Sequence, residues 1–183
     1  MQQLVEFWLH ALRLKNEPRR GWLQTLHVRK IESVADHSYG VAILALFEAE
    51  RRRYDVGHVL RLALVHDLEE AITGDLTPRD KRRLTLREVS RRKNSARRKI
   101  LAVLPTAQKR GLERAWSELQ RGRTREARLI KDLDKLEMAL QAFDYESKGA
   151  NAEEVKDFYR SARRGIRDAR LKKTLEQIVD SRN

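Results

Sequence analysis

Apolar residues recur every three or four positions along most of the chain, which is the spacing of an amphipathic helix. In the first run, Leu4, Trp8 and Leu12 would share one helix face. No alternating pattern typical of strands, no internal repeat and no low-complexity linker interrupts these runs, so the fold is predicted to be all-α. Helices are predicted over residues 4–14, about 32–52, 57 to about 73, part of 79–99, 105–122, 124–148 and two segments beyond 151.

Glycine, proline and capping residues mark the ends of the predicted helices. Pro18 and Gly21 leave the segment after the first helix as a loop or a short turn of helix. Gly74 ends the helix that begins at residue 57. Asn151, with Glu154 three residues later, has the pattern of a capping box that would begin a further helix.

Size and composition fit one compact helical domain over residues 1–183, and 40% of the residues are hydrophobic. The chain has no cysteine, which excludes a disulfide, a thiolate nucleophile and a cysteine metal site. Any metal must therefore bind to nitrogen and oxygen ligands. The N-terminal segment carries charges, unlike a signal peptide, and no stretch approaches the roughly 18–20 apolar residues of a membrane span. We expect a soluble protein in the cytoplasm.

The net charge of +13 comes from 40 Lys and Arg against 27 Asp and Glu. Such a surface attracts anions, and nucleic acid is one candidate partner. The alternative is a solvated surface, because the basic residues are interleaved with acidic ones on the polar helix faces.

Three polar sites interrupt helix faces that should be apolar. His37 lies between Val34 and Val41 on one face, although a histidine in such a position is more often a core residue than a ligand. The pair His66-Asp67 follows an apolar run on a second helix. On a later helix, Asp134 borders the apolar face that also contains Glu137 one turn further on. A buried carboxylate is costly unless a cation or hydrogen-bond donors compensate it, and a salt bridge to an arginine is the simpler explanation for either acid alone.

Taken together, two histidines and two aspartates from three helices, all directed inward, can converge on one divalent ion. Imidazole and carboxylate ligands suit first-row metals such as Mn, Fe, Co, Ni or Zn. Four protein ligands leave positions for water and a substrate oxygen on an octahedral ion, whereas a closed tetrahedral zinc site leaves none. The proposed ligands are His37, His66, Asp67 and Asp134.

Two further acidic residues follow this pair along the chain. Glu70 lies one helical turn beyond His66, and Asp75 follows Gly74, where side chains can reach back over the site. Metal-assisted hydrolysis uses such groups, because the ion lowers the pKa of a water and a carboxylate accepts or relays the proton. A purely structural ion would need neither residue.

These motifs resemble, in order and spacing, the HD-domain metallophosphohydrolase superfamily. The sequences Glu-Ser-Val-Ala-Asp-His-Ser from residue 32, His-Asp-Leu-Glu-Glu-Ala-Ile-Thr-Gly-Asp from residue 66, Leu-Asp-Lys-Leu-Glu-Met from residue 133 and Pro-Arg-Arg-Gly-Trp from residue 18 are similar to those of YfbR-like 5′-deoxynucleotidases. The resemblance covers about residues 4–148 and implies an HD-domain helical bundle, a homodimer and hydrolysis of deoxyribonucleoside 5′-monophosphates. Residues 151–183 are expected to form C-terminal packing helices.

The resemblance also assigns roles to individual residues. Arg19 would bind the substrate phosphate, which suits the bidentate chemistry of guanidinium, although without the resemblance a solvated charge would be the simpler interpretation. Glu70 and Asp75 would position or activate water and assist the leaving oxygen. One divalent transition metal ion would be held by His37, His66, Asp67 and Asp134.

Some relatives carry a sugar-sensing aromatic residue directly after this arginine. Here Arg20 occupies that position and Trp22, a candidate substrate-binding residue, lies two residues further on, which leaves the choice between deoxyribose and ribose open. The basic stretch 79–99 is expected to form a cationic rim that steers nucleotides. Within it, Lys81 is a candidate second phosphate contact or an ordinary surface lysine.

Other functions fit the same sequence. An HD-type enzyme could act on a nucleoside triphosphate, a cyclic nucleotide or a modified nucleotide, and product analysis separates these activities. A basic helical protein with an inactive metal site would instead bind nucleic acid with a steep salt dependence. In a third alternative, a bound ion would only stabilise the fold.

Overall fold

The computed structural model describes residues 2–181. Within this range the chain forms eleven α-helices and no strand, apart from a single antiparallel bridge between Pro18 and Ser33. The all-α prediction is therefore confirmed. In chain order the helices are α1 (Gln2–Leu14), α2 (Arg20–Leu23), α3 (Val34–Arg52), α4 (Val56–Val65), α5 (Glu70–Thr73), α6 (Pro78–Arg82), α7 (Leu86–Ala102), α8 (Thr106–Arg121), α9 (Arg125–Ser147), α10 (Ala152–Gly165) and α11 (Ala169–Asp180).

Side-chain caps set the beginnings of several helices. Ser33 accepts a hydrogen bond from the Asp36 amide while the Asp36 carboxylate accepts from the Ser33 amide, so α3 begins one turn before His37. The predicted capping box of α10 is only half correct. Asn151 caps the helix through the Glu153 amide, but the Glu154 carboxylate pairs with His27, with a distance of 2.7 Å to the ring nitrogen Nδ1.

The predicted helix over residues 57–73 is interrupted between α4 and α5. At residues 66–69 the backbone makes tight turns, in which the Glu70 amide donates to the Asp67 carbonyl at 2.9 Å. Two carbonyls of the last turn of α4 meet side-chain nitrogens, and the Val65 carbonyl also accepts the Leu68 amide in a tighter turn at 3.3 Å. The Trp116 indole donates to the Val65 carbonyl at 2.8 Å, and His66 Nδ1 lies 2.7 Å from the Ala63 carbonyl. The tertiary bond from Trp116 and the local contact of His66 both favour the end of the helix at this point.

The basic stretch 79–99 also differs from the single predicted helix, because it contains α6 from its second residue onward and most of α7. Each of these helices begins with its own capping box, from Thr77 with Asp80 and from Thr85 with Glu88. The turn between them places α7 against α5 and α8, beside the predicted site.

The hydrophobic core is built around α3 and α9. Helix α3 packs against α4 and α9, while α10 and α11 pack on α9. The buried cluster extends from Leu14 on α1 to Leu175 on α11. This packing brings the middle of α9 and the C-terminal end of α4 close to the first turn of α3. Over residues 2–181, no helix has both the length and the apolar character needed to cross a membrane.

Candidate active site

His37, His66, Asp67 and Asp134 come together at the point where α3, α4 and α9 meet. The fully buried His37 has its Nε2 atom 3.2 Å from Asp134 Oδ1 and 3.4 Å from His66 Nε2. Asp67 Oδ2 lies 3.1 Å from His66 Nε2 and 3.9 Å from His37 Nε2. Two imidazole nitrogens and two carboxylates thus face one small volume.

The other ring nitrogen of each histidine is already bound, which fixes the orientation of the ring. His37 Nδ1 makes a short hydrogen bond to a Glu137 carboxylate oxygen, and His66 Nδ1 pairs with the Ala63 carbonyl. If each Nδ1 carries the proton, each Nε2 presents a lone pair to the common volume. Metal-binding histidines are oriented in this manner by carboxylates and carbonyls.

The donor set fits a divalent cation. Donor atoms of His37, His66 and Asp134 all lie within 4.8 Å of one another, and Asp67 completes the cluster through the two histidine contacts. The electrostatics also favour positive charge. Burial lowers the pKa of the His37 imidazole, yet the carboxylates of Asp134 and Glu137 outweigh this effect and raise it to about 10.

A second group of residues has a spacing that would suit a metal ion, on the side of the His37 Nδ1 atom: Glu32, His37 and Glu137. Its oxygens are engaged, because Glu32 accepts from the Trp22 indole at 2.8 Å and Glu137 pairs with His37. Burial, followed by Glu137, raises the pKa of Glu32 to about 7. This group therefore supports His37 and does not offer a second open site. Glu32 begins one of the motifs that carry the family resemblance but is assigned no role by it, whereas Glu137 is noted for its position on an apolar helix face.

Arg19 lies against the cluster in the loop before α2. Its Nη1 atom is 3.7 Å from Asp67 Oδ2, its Nε atom is 3.8 Å from Glu32 Oε1, and its side chain is 13% exposed. Burial lowers the pKa of Arg19, but Asp67 and the other nearby carboxylates outweigh burial and raise it. The guanidinium is thus a permanent cation at the edge of the predicted metal site.

Glu70 is buried on α5, and among the described residues its Oε2 atom has no hydrogen-bond partner. Burial, with the repulsion of Asp67 and Asp75, raises its pKa well above the ordinary value for a glutamate. A buried carboxyl group with a raised pKa beside a candidate metal site is a candidate for proton transfer.

Asp75 is held in place by the backbone around it. Its Oδ2 atom accepts a hydrogen bond from the Arg20 amide at 2.8 Å, and its own amide donates to Glu17 at 3.1 Å. The preceding residue, Gly74, has a φ of 71°, and a Cβ atom there would lie 2.9 Å from Arg20 Nη2. Glycine therefore allows the chain to turn and carry Asp75 back toward the cluster.

A cavity of about 670 Å³ opens beside the cluster and is lined by Arg19, Asp67, Glu70, Asp75 and Asp134. Trp22 also lines it, but Trp22 is 1% exposed and its ring stacks on Phe158 with centroids 3.8 Å apart. Lys81 is exposed at the rim. Basic residues of α6 and α10 surround the opening: Arg79, Lys81, Arg82, Arg160 and Arg164.

Comparisons with known proteins agree with this architecture. A sequence model of the HD domain matches residues 11–178. The chain is 34% identical over 182 residues to the 5′-deoxynucleotidase HDDC2 of Xenopus laevis, which covers 100% of this chain and 89% of that protein. A conserved hypothetical protein from Pyrococcus furiosus superposes with a TM-score of 0.76 at 31% identity, over 96% of this chain and 99% of its own. A predicted metal-dependent phosphohydrolase from Magnetospirillum magnetotacticum superposes with a TM-score of 0.72 at 25% identity, over 98% and 91%.

Proposed function

The chain belongs to the HD domain family, and on this basis we propose that it is a metal-dependent 5′-deoxynucleotidase. It would hydrolyse deoxyribonucleoside 5′-monophosphates to deoxyribonucleosides and phosphate. The observation that carries this proposal is the convergence of His37, His66, Asp67 and Asp134 beside a cationic cavity. A relative of nearly the same length that is named a 5′-deoxynucleotidase supports the substrate class.

One divalent transition metal ion (Mn, Co, Ni, Fe or Zn) would be held by His37 and His66 through Nε2, and by the carboxylates of Asp67 and Asp134. When bound, the ion supplies Lewis-acid chemistry, because it polarises a phosphoryl oxygen and makes water easier to deprotonate. Glu137 and the Ala63 carbonyl hold the two imidazoles in the orientation that this requires.

Arg19, Glu70 and Asp75 would supply the remaining steps. Arg19 would bind phosphate oxygens through its guanidinium, which suits this geometry. The Oε2 atom of Glu70, which lacks a partner within residues 2–181, would accept a proton from the attacking water and hold it until the leaving oxygen needs one. Asp75, fixed by the Arg20 amide, would position the water or the leaving oxygen.

The nucleoside would lie in the cavity of about 670 Å³. We propose that Trp22 shapes its wall from within the core, since the stacked and buried ring offers little surface to a sugar. Lys81 would belong to the cationic rim that attracts nucleotides. Arg20 occupies the position where some relatives carry a sugar-sensing aromatic residue, and its side chain pairs with Glu17 at 3.2 Å.

We also propose that residues 1–183 form one domain and that two copies form a homodimer. Support for one domain comes from the buried cluster that joins α1 to α11. Support for the dimer comes from α3, where Tyr39, Ile43 and Phe47 are 68%, 49% and 64% exposed at a helical spacing. Light scattering should give twice the chain mass, and Ile43→Asp should give the monomer. A cytoplasmic location, where free nucleotides are available, completes the proposal and is tested by cell fractionation.

The experiment for the function is product analysis on metal-stripped protein. Mn, Co, Ni, Zn or Mg is restored separately, and phosphate release is measured from matched deoxyribo- and ribonucleoside 5′-monophosphates. Metal-dependent release of phosphate and deoxyribonucleoside supports the proposal. Equal rates for the ribonucleotides would remove the deoxyribose preference. Tripolyphosphate from a triphosphate, with no monophosphate hydrolysis, would contradict the proposal.

A further inference from the structure

Helix α7 carries seven basic residues, and two of them turn inward. The side chains of Lys93 and Arg97 are only 24% and 15% exposed. The other five are exposed to solvent: Arg87, Arg91, Arg92, Arg98 and Lys99. Turning a lysine away from water costs free energy unless it meets a partner, so the position of Lys93 needs an explanation.

The partner of both residues is Glu69, which is completely buried in the turn between α4 and α5. Glu69 Oε1 accepts hydrogen bonds from Lys93 Nζ at 3.1 Å and from Arg97 Nη2 at 2.8 Å. Arg97 also lies over the Trp116 ring, 5.4 Å from its centroid, which holds its guanidinium in place. One carboxylate therefore faces two cations, and one positive charge is left over.

Of the three residues Glu69, Lys93 and Arg97, Lys93 is the one that can direct the remaining positive charge toward an anion. An ammonium group has three N–H donors, and Glu69 takes only one of them. Burial lowers the pKa of Lys93, but Glu69, followed by Asp67, outweighs burial and raises it. The side chain therefore stays charged over the range in which a phosphate ester is a dianion.

The position of Lys93 links it to the predicted reaction. Lys93 lines the cavity of about 670 Å³ together with Arg19, Asp67 and Asp134. It also lines a second cavity of about 290 Å³ that reaches His66 and the same two aspartates from the side of α7 and α8, and Arg19 does not line that cavity. Lys93 thus lines both of the cavities that reach the predicted metal ligands.

We infer that Lys93 is a second phosphate-binding residue of this site, that it acts together with Arg19, and that Glu69 positions it. The inference rests on the proposed function. A phosphate dianion brought beside the carboxylates of Asp67, Asp134 and the surrounding acids needs more positive charge than Arg19 and one divalent ion provide. Lys93, held inside the site, meets that need better than the exposed Lys81 at the rim.

The test compares Lys93→Met with Lys99→Met, a matched loss of one exposed lysine on the same helix that, unlike the expected rim residues, lines neither cavity. Inorganic phosphate binding to metal-loaded protein is measured by calorimetry, alongside metal content and the KM and kcat for a deoxyribonucleoside monophosphate. For Lys93→Met we expect phosphate affinity to fall about 10- to 100-fold and KM to rise similarly, at unchanged metal content. Lys99→Met should match the wild type, and Lys93→Arg should recover part of the affinity. Unchanged phosphate affinity in Lys93→Met would overturn the inference.

A second measurement uses the wild-type protein and does not depend on how the variants fold. Inorganic phosphate should protect Lys93, but not Lys99, from acylation by an amine-reactive reagent, as read by mass spectrometry. Equal modification of Lys93 with and without phosphate would overturn the inference. Phosphate binding is measured without turnover, so a failure of the inference about Lys93 can be distinguished from a failure of the proposed function. If Lys93→Met hydrolyses nucleotides and binds phosphate with normal affinity, the proposed function stands and the role of Lys93 is refuted.

Discussion

The hydrogen bond between Glu137 and His37 should control metal affinity, and Glu137→Gln tests this directly. With the proton on His37 Nδ1, the carboxylate accepts the Nδ1–H hydrogen bond and leaves the Nε2 lone pair for the ion. Both side chains are buried, so water cannot easily replace the lost interaction. Glutamine can still accept this hydrogen bond through its carbonyl, but it removes the negative charge that makes the imidazole a stronger ligand.

The expected magnitude follows from the role of such carboxylates, whose loss typically lowers metal affinity or activity about 10- to 100-fold. Glu137→Gln should fall at the lower end, because its hydrogen bond remains, and Glu137→Ala at the upper end. Tenfold corresponds to about 1.4 kcal/mol at room temperature.

A second variant, Gly40→Ala, should disturb the same hydrogen bond by displacing Glu137. A Cβ atom on Gly40 would lie 2.6 Å from Glu137 Oε1, too close for both to keep their positions. Gly40→Ala should therefore also lower metal affinity, although Gly40 contributes no ligand atom.

The assay is competition with a chromogenic chelator, which gives the metal dissociation constant of each variant. Asp144→Asn, on the same helix and paired with Lys148 at the surface, is the control and should bind metal like the wild type. Wild-type affinity in Glu137→Gln, Glu137→Ala and Gly40→Ala would refute the orienting role of Glu137.

Further predictions concern four other positions. In the metal-free protein the raised pKa of Glu70 means that the folded chain keeps a proton that the unfolded chain releases above about pH 4.5. The metal-free protein should therefore lose stability as the pH rises above that value, whereas a bound cation would favour the ionised carboxylate that hydrolysis requires. Glu70→Gln should flatten that dependence in thermal melts while removing most turnover, and an unchanged pH profile would contradict the assignment. Gly74→Ala should cost about 1–3 kcal/mol of stability in urea and lower kcat by displacing Asp75, since its backbone conformation is one that only glycine adopts readily. Gly111→Ala, in the middle of α8 with nothing within 4 Å of the added carbon, should instead raise stability by about 0.5–1 kcal/mol. Arg19→Ala should raise KM with metal content intact, and unchanged kinetics would place the phosphate elsewhere.

The sequence predicted the helices well because their apolar spacing and their breakers are local signals. Residues such as His37 and Asp134 could be found for the same reason, since a polar side chain on an apolar helix face stands out without any knowledge of its neighbours. The convergence of their helices could be expected only from the resemblance to a family.

The features that the sequence did not predict depend on contacts between residues that are distant in the chain. The break after α4 requires the Trp116 indole, which lies 51 residues beyond the Val65 carbonyl that it binds. The capping box at residue 151 was only half formed, because Glu154 has a better partner in His27. The pairing of Glu69 with Lys93 carries no sequence pattern either, since both lie in segments rich in charged residues.

The central claim is that nucleotide hydrolysis depends on one ion bound by the His37, His66, Asp67 and Asp134 cluster. The most direct test is to titrate metal into stripped wild-type protein and into Asp134→Ala, measuring bound metal and phosphate release in the same samples. The wild type should gain activity in proportion to bound metal up to one ion per chain, while Asp134→Ala should lose both metal binding and turnover. Metal-independent hydrolysis, or full turnover in Asp134→Ala, would contradict the claim.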